Sequence, residues 1–366
     1  MTMKFASMDE LKEAVARHYG TPCLMIDLDV VEKNIERAQK LCDAAGVAAR
    51  PHIKTHKNPQ IAAMQQRAGA RGITCQKLGE AEVMADGGLD DILITYNILG
   101  DEKLARLGAL AATRTIAVAA DNPVTIEGLP KAAAIAGRPL NVLVECDSGR
   151  KRAGVETPGE AIELARMIAA APGLAFAGFV FYPVENAIGA AQTFRDEAVS
   201  GVREAGLEPR ILSSGGTPNL ATLSQFSGIT EHRAGTYIFN DRMMMAAGMA
   251  SLDDCALHVL ATVVSRAAPE RGILDSGSKT LTSDPGGGLD GFGLIREYPE
   301  ARIAAFAEEH GMLDLSRCND RPPVGTLVRI VPNHVCVTVN MFDRYVAVRG
   351  TELIGQMDVA ARGRLG

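Results

Sequence analysis

Between residues 47 and 239 short apolar runs alternate with longer, mixed stretches. The apolar runs are VAARPHI (47–53), GITCQKL (72–78), DILITY (91–96), TIAVAA (115–120), NVLVEC (141–146), FAGFVFY (176–182), PRILSS (209–214) and HRAGTYIF (232–239). Their length and turn-rich borders predict strands. The stretches between them, such as PQIAAMQQRAGA, DEKLARLGALAA, PVTIEGLPKAAAIAG and GEAIELARMIAAAPG, are rich in Ala, and the acidic starts of DEKL and GEAIE with the Gly ends of the last two support helices. Strand–helix alternation implies a parallel sheet. Eight such units in a row predict a (β/α)8 TIM-type barrel rather than an open sheet.

After about residue 256 the pattern changes. ALHVLATVVSR, GILDSG, TLVRIVP, HVCVTVN, RYVAVRG and LIGQMDV all read as strands, with one helix-like stretch, PEARIAAFAEEHG (299–311). This predicts a C-terminal, mainly antiparallel β domain. The segment TPCLMIDLD (21–29) precedes the first barrel unit and joins the two parts. The expected domains are a barrel over 25–255 and a β domain made of 1–24 plus 256–366. The GGG at 286–288 reads as a loop, because no helix follows it closely.

Composition narrows the function classes. A chain of 366 residues with net charge −6 gives no reason to expect nucleic acid or an anionic membrane as partner. No apolar run is long enough to cross a bilayer. The N-terminus, MTMKFASMDELKEAV, lacks a signal peptide's apolar core, so a cytoplasmic location is expected. The seven cysteines are scattered and odd in number, which fits free thiols in a reducing compartment.

Four stretches carry candidate chemistry. In RPHIKTHK (50–57) an extended chain would put Arg50, His52, Lys54 and His56 on one face. Lys54 falls at the C-terminal end of the first predicted barrel strand, where such barrels place their active sites. A half-buried lysine among other cations is pushed toward the neutral amine that a Schiff base needs. A solvated lysine beside a turn explains the motif equally well, and Lys57 reads as solvated. In SSGGTPN (213–219) Gly215 and Gly216 allow close backbone approach to an anion, and Thr217 adds a hydroxyl. With AGTY (234–237) this lies where barrels often bind phosphate, although a Gly-Gly pair is by itself usually a turn. In NHVCV (333–337) His334 and Cys336 would point the same way from a strand, and imidazole with thiolate suits Zn²⁺ and similar ions. An isolated HxC is more often two half-buried strand residues. In ECDSGRKRAGV (145–155) Arg152 follows a turn at the catalytic end and suits a carboxylate or phenolic oxygen, while Arg150 and Lys151 read as solvated neighbours.

Taken in order, RPHIKTHK, GITCQKLGEAEV, DSGRKRAGV, SGGTPN, HRAGTY and PNHVC resemble the D-threonine aldolase and D-serine dehydratase family from about residue 20 to the C-terminus. The resemblance implies an alanine-racemase-like fold, pyridoxal 5'-phosphate and a divalent metal such as Mn, Mg, Zn or Co. It also implies a small D-3-hydroxy-amino acid substrate and a homodimer. Carried onto this chain, Lys54 matches the lysine that binds the cofactor covalently. Gln76 and Arg152 match residues near the cofactor ring and its 3-oxygen, and Tyr182 lies beside it. Ser214, Gly215, Gly216 and Thr217, with Gly235 and Tyr237, match the phosphate set, and His334 and Cys336 match the metal ligands.

The resemblance favours an aldolase that yields glycine and an aldehyde, with dehydration of D-serine or D-3-hydroxyaspartate as the alternative. Aldolases of the family carry a histidine shortly after the tyrosine that matches Tyr182. Here the run is YPVENAIGAA, with no histidine, and Glu185, His52, His56 or a metal-bound water could stand in as base. A racemase would need a second base opposite Lys54, and only Tyr298 and Tyr345 are tyrosines of the β domain. A non-catalytic cofactor carrier would need neither the extra C-terminal segment nor its HxC.

Overall fold

The computed structural model describes residues 2–185 and 187–366. The chain divides into two compact units, Met1–Ile35 with Thr236–Arg362 and Glu36–Gly235 with Gly363–Gly366.

The second unit is the parallel (β/α)8 barrel. Its strands are Ala48–Ala49, Ile73–Cys75, Ile92–Ile94, Ile116–Ala120, Leu140–Cys146, Leu174–Phe181, Ile211–Gly215 and Glu231–Arg233. Each pairs in parallel with its sequence neighbour, and the last returns to the first through Glu231 opposite Ala48. The ring closes through a single bridge between His52 and Thr74, backed by the Thr74 N–H to Pro51 carbonyl bond of 2.8 Å. Leu93, Ala119, Leu143, Ala177 and Val180, from consecutive strands, pack as one buried cluster. Helices start where the sequence supplies caps. Asn58 and Asn122 accept the Ile61 and Thr125 N–H groups at 2.9 Å each, and Thr157 forms a capping box with Glu160, each with Pro at the first helical turn.

Two expected strands are much shorter than their apolar runs. The first ends at Ala49 apart from the His52 bridge, and the chain turns into a 3-10 turn at Ile53–Thr55. The extended face expected for residues 50–56 is therefore broken at Ile53. The eighth keeps only Glu231–Arg233, and Thr236–Ile238 is another 3-10 turn. Gly235 marks the departure: a Cβ there would stand 2.9 Å from the Thr55 hydroxyl.

The first unit is built on antiparallel strands. Leu257–Ala268, Arg271–Leu274, Gly311–Asp314, Arg302–Phe306, Leu294–Ile295 and Leu327–Val331 pair successively and close on themselves, because Leu257–Ala268 also pairs with Leu327–Val331. Cys23–Asp27 extends this sheet beside Leu257–Ala268, so the segment expected to join the two parts is itself a strand of the β unit. Helix Met8–Tyr19 packs Leu11 and Val15 onto Met25, Leu260, Val346 and Val348.

Two expectations fail in this unit. PEARIAAFAEEHG is a hairpin, Arg302–Phe306 with Gly311–Asp314, not a helix. Helix propensity separates residues by only ~0.7 kcal/mol each, which ladder bonds on both sides of Arg302–Phe306 overcome. HVCVTVN is a short helix, Val335–Val339, not a strand. Pro332 follows the preceding strand, and burial of Val335 and Val339, four residues apart, outweighs their β-branching. The GGG at 286–288 is a loop as expected, with all three φ angles positive.

Candidate active site

The C-terminal ends of the barrel strands collect most of the residues singled out in that unit. Lys54 is half-buried on the 3-10 turn that follows the first strand. His52 caps that turn, its Nδ1 accepting the Lys54 backbone N–H at 3.4 Å. Its Nε2 lies 3.2 Å from Gln76 Oε1, and Gln76 Nε2 donates to the Thr95 carbonyl at 2.8 Å. The amide is thereby oriented with its oxygen toward His52, so the imidazole carries its proton on Nε2. Burial first, then the charge of Lys54, holds the His52 pKa well below the ordinary value, and the ring is neutral.

His56 lies away from this mouth. It is fully buried, with Nδ1 accepting the Asn58 N–H and Nε2 facing Gln65 Oε1, each at 3.2 Å. Burial lowers its pKa to about 3. Arg50 is likewise committed elsewhere, to Glu231 at 2.7 Å and Asp91 at 2.8 Å. Lys57, read from sequence as solvated, is buried and bonds Glu80 Oε1 at 2.6 Å. The other Glu80 oxygen accepts the Gln76 and Lys77 backbone N–H groups, so this pair ties the Lys54 turn to the loop that presents Gln76.

The opposite rim is aromatic and cationic. Tyr182 follows the sixth barrel strand, with the Arg150 guanidinium 4.1 Å and the Arg152 guanidinium 5.2 Å from its ring centre. Arg150 is thus a stacked and paired residue, not a solvated one: it also donates to Glu185 Oε1 at 2.6 Å and to the Pro183 carbonyl at 2.8 Å. Lys151 is exposed. Burial favours the neutral Glu185 carboxyl, but the Arg150 bond prevails and its pKa is lowered. In the run YPVENAIGAA, Asn186 lies outside the described residues.

Sequence reasoning missed Arg233 and Glu145. Arg233, fully enclosed, donates to the Ser213 hydroxyl at 2.8 Å and the Phe181 carbonyl at 2.6 Å. Burial lowers its pKa to about 10 against the pull of Glu145 and Glu231. Burial raises that of Glu145 while Arg233 and Arg152 oppose the rise. The available signal was a charged residue at the end of a barrel strand, Glu145 in the apolar run NVLVEC and Arg233 in the short strand EHR.

The glycine turn sits directly above Arg233. Gly216 has φ 106°, and a Cβ on it would stand 2.8 Å from the Tyr182 ring. Only glycine fits that backbone and that gap. Its carbonyl accepts the His232 Nε2–H at 2.9 Å. Ser214 is buried and alternates with Ser213, so its hydroxyl faces away from Arg233. Thr217 is buried just before the 3-10 stretch Pro218–Gln225, Gly235 lies against His52 and Thr55, and Tyr237 is buried in its own turn.

In the β unit, His334 and Cys336 are neighbours, although not on a strand. His334 has extended backbone and precedes helix Val335–Val339, which carries Cys336. Burial disfavours charge on His334, but bonds to Asp241 and Cys336 prevail and raise its pKa to about 10. Asp241, another residue the sequence reading missed, is fully buried; its position before helix Arg242–Ala246 was a legible cap signal. Among the described residues no group of three or more His, Cys, Asp and Glu side chains could enclose a metal.

Residues 26–243 match the alanine racemase N-terminal domain family, and residues 256–348 match the serine dehydratase domain family. A D-threonine aldolase of Arthrobacter sp is 36% identical over 358 residues, covering 94% of this chain and 93% of that protein. The chain belongs to the D-threonine aldolase and D-serine dehydratase family. It is therefore an enzyme of the lyase class. The crystal structure of a D-threonine aldolase from Filomicrobium marinum superposes with a TM-score of 0.88 at 32% identity, covering 94% of this chain and 96% of that one. A D-threo-3-hydroxyaspartate dehydratase mutant in the metal-free form gives 0.83 at 28% identity, covering 92% and 97%. Family members thus include both aldolases and dehydratases. The fold type of the family implies pyridoxal phosphate. No helix is long and apolar enough to cross a membrane among the described residues.

Proposed function

We propose that this chain is a pyridoxal-phosphate- and divalent-metal-dependent aldolase that cleaves D-3-hydroxy-amino acids of the D-threonine kind to glycine and an aldehyde. The observation that carries the reading is the Lys54 amine on its 3-10 turn, in the same barrel mouth as the Gly216 cradle. The relative at 36% identity supports aldol cleavage over dehydration.

The residues fit the cofactor. Gly215, Gly216 and Thr217 would hold its phosphate by backbone N–H groups and a hydroxyl, with Gly235 and Tyr237 completing the set. Arg152 and Arg233 supply positive charge, and Tyr182 offers an aromatic face. Bound there, pyridoxal phosphate supplies an electron sink for negative charge at the substrate's Cα. The donor set of His334 and Cys336 fits a borderline divalent ion with open positions, a Lewis acid for the substrate's β-hydroxyl.

The chain's own groups divide the remaining work. Lys54 Nζ is the amine that holds the cofactor and can later carry a proton at Cα. His52 has both ring nitrogens engaged, so it fixes the turn that presents Lys54 and does not exchange protons. His56 has a structural role, through its bonds to Asn58 and Gln65. Arg150 keeps Glu185 ionised and the Tyr182 ring in place.

Dehydration is the second reading, favoured by the serine dehydratase domain match over the segment that carries His334 and Cys336. Product analysis with D-threonine and D-serine, with and without a chelator, decides. Glycine with acetaldehyde means aldolase; 2-oxobutyrate or pyruvate with ammonia means dehydratase. Activity indifferent to exhaustive chelation removes the metal from the reading.

A further inference from the structure

We propose that Asp241 is the positioning residue of the metal site, fixing which nitrogen of His334 faces the ion; this rests on the reading of His334 and Cys336 as its ligands. Asp241 is wholly buried and its carboxylate faces three N–H donors of the chain itself. Oδ1 accepts the Met244 N–H at 2.9 Å and so caps helix Arg242–Ala246. Oδ2 accepts the Val335 N–H at 3.1 Å, at the start of the helix that carries Cys336. The same Oδ2 lies 3.2 Å from His334 Nδ1. A carboxylate only accepts, so Nδ1 keeps its proton, and Nε2 is the nitrogen whose lone pair an ion would take on releasing the other proton. With three such bonds Asp241 cannot swing out to become a ligand without orphaning two buried backbone N–H groups. One buried carboxylate thereby sets the imidazole's tautomer and anchors the helix that bears its neighbouring thiol.

Asp241→Asn tests this because it keeps the shape and reverses the chemistry. An asparagine amide can still accept a backbone N–H, but its NH2 turned toward His334 would donate to Nδ1 and move the imidazole proton to Nε2. The measurement is Co²⁺ affinity of the cofactor-loaded, chelator-dialysed protein, by dye competition and by the thiolate–cobalt absorption. The expected result is about 10–100-fold weaker Co²⁺ binding in Asp241→Asn, with the His334 ¹⁵N resonances moving from the Nδ1–H to the Nε2–H pattern. In a His334→Ala background the same change should cost clearly less, because only the anchor of helix Val335–Val339 at the Val335 N–H is then lost. Wild-type affinity and tautomer in Asp241→Asn would overturn the proposal. So would an equal loss of affinity in the His334→Ala background, which would mean that Asp241 acts through the fold. A wild-type Co²⁺ affinity indifferent to His334→Ala and Cys336→Ala would instead remove the metal-site reading, and the proposal with it.

Discussion

His52 and His334 flank the chemistry of their respective units and are opposites. His52 stands beside Lys54 and faces a neutral amide, and burial and that charge keep its ring uncharged. His334 faces a buried carboxylate and bonds Cys336, and these neighbours draw positive charge onto the ring. Burial acts the same way on both; the neighbour decides. On the function proposed here, the histidine beside the candidate amine is a structural clamp and the one remote in sequence is a metal ligand. The clamp exists to present Lys54, so the first way to test the contrast is there. Lys54→Ala is expected to lower turnover by about 10⁴-fold or more and to abolish any visible cofactor band. A His52→Asn variant, able to keep one of the two bonds, should retain most of that band. Retained turnover in Lys54→Ala would dismiss the barrel mouth as the reacting centre.

The next effect concerns the ion pair behind that mouth. Lys57→Met leaves Glu80 buried without its cation, and breaking one side of a buried pair costs about 3–5 kcal/mol. The barrel should melt earlier, and pyridoxal phosphate should bind less tightly, because Glu80 also orders the Gln76 loop. The double change Lys57→Met, Glu80→Gln should recover part of the loss. If the single variant melts like the parent, the pair is not the tie between the two loops.

A third test uses the buried, neutral histidines as a class. Burial lowers His56 and His258 to about 3 and His232 to about 4. Unfolded histidines titrate near 6.5. A folded value below the unfolded one gives stability that is full above about 6.5 and is lost as pH falls toward the folded values. The melting temperature should therefore decline from pH 7 to pH 4.5. His258→Asn should flatten the decline, because every tenfold loss of proton affinity on folding is worth about 1.4 kcal/mol. An unchanged slope would show that His258 is not held neutral by the fold.

The two units also differ in how far the chain reveals them. In the barrel, alternation and caps such as Asn58-Pro59 and Thr157-Pro158 are local signals, and each strand–helix unit announced itself. Lys54, Arg152 and Gly216 were read as motifs with a position, and Gln76 and Tyr182 only through the family resemblance. What stayed hidden was who pairs with whom: Lys57 with Glu80, Arg150 with Glu185 and Tyr182, Arg233 with Glu145. Those partners lie tens of residues apart, and local pattern says nothing of them. In the β unit even element type was misread, because Arg302–Phe306 and Val335–Val339 take their form from remote neighbours rather than propensity.

The smallest expected effect falls on the residue that sequence alone made attractive as a base. Glu185 lies in the run YPVENAIGAA, which has no histidine, and its carboxylate accepts a 2.6 Å bond from Arg150. That guanidinium is stacked on Tyr182, so Glu185 is held ionised at a pKa below the ordinary carboxylate value. A general base works best with a pKa near the working pH, and this one has been moved the other way. Glu185→Gln keeps an oxygen for Arg150 and removes only the charge of a partly exposed pair, an interaction of about 0–1 kcal/mol. Turnover should change by no more than about threefold, with the acid limb of the pH–rate profile in place. A loss of about 10²-fold or more with that limb gone would make Glu185 the base after all, and Arg150 the residue that tunes it.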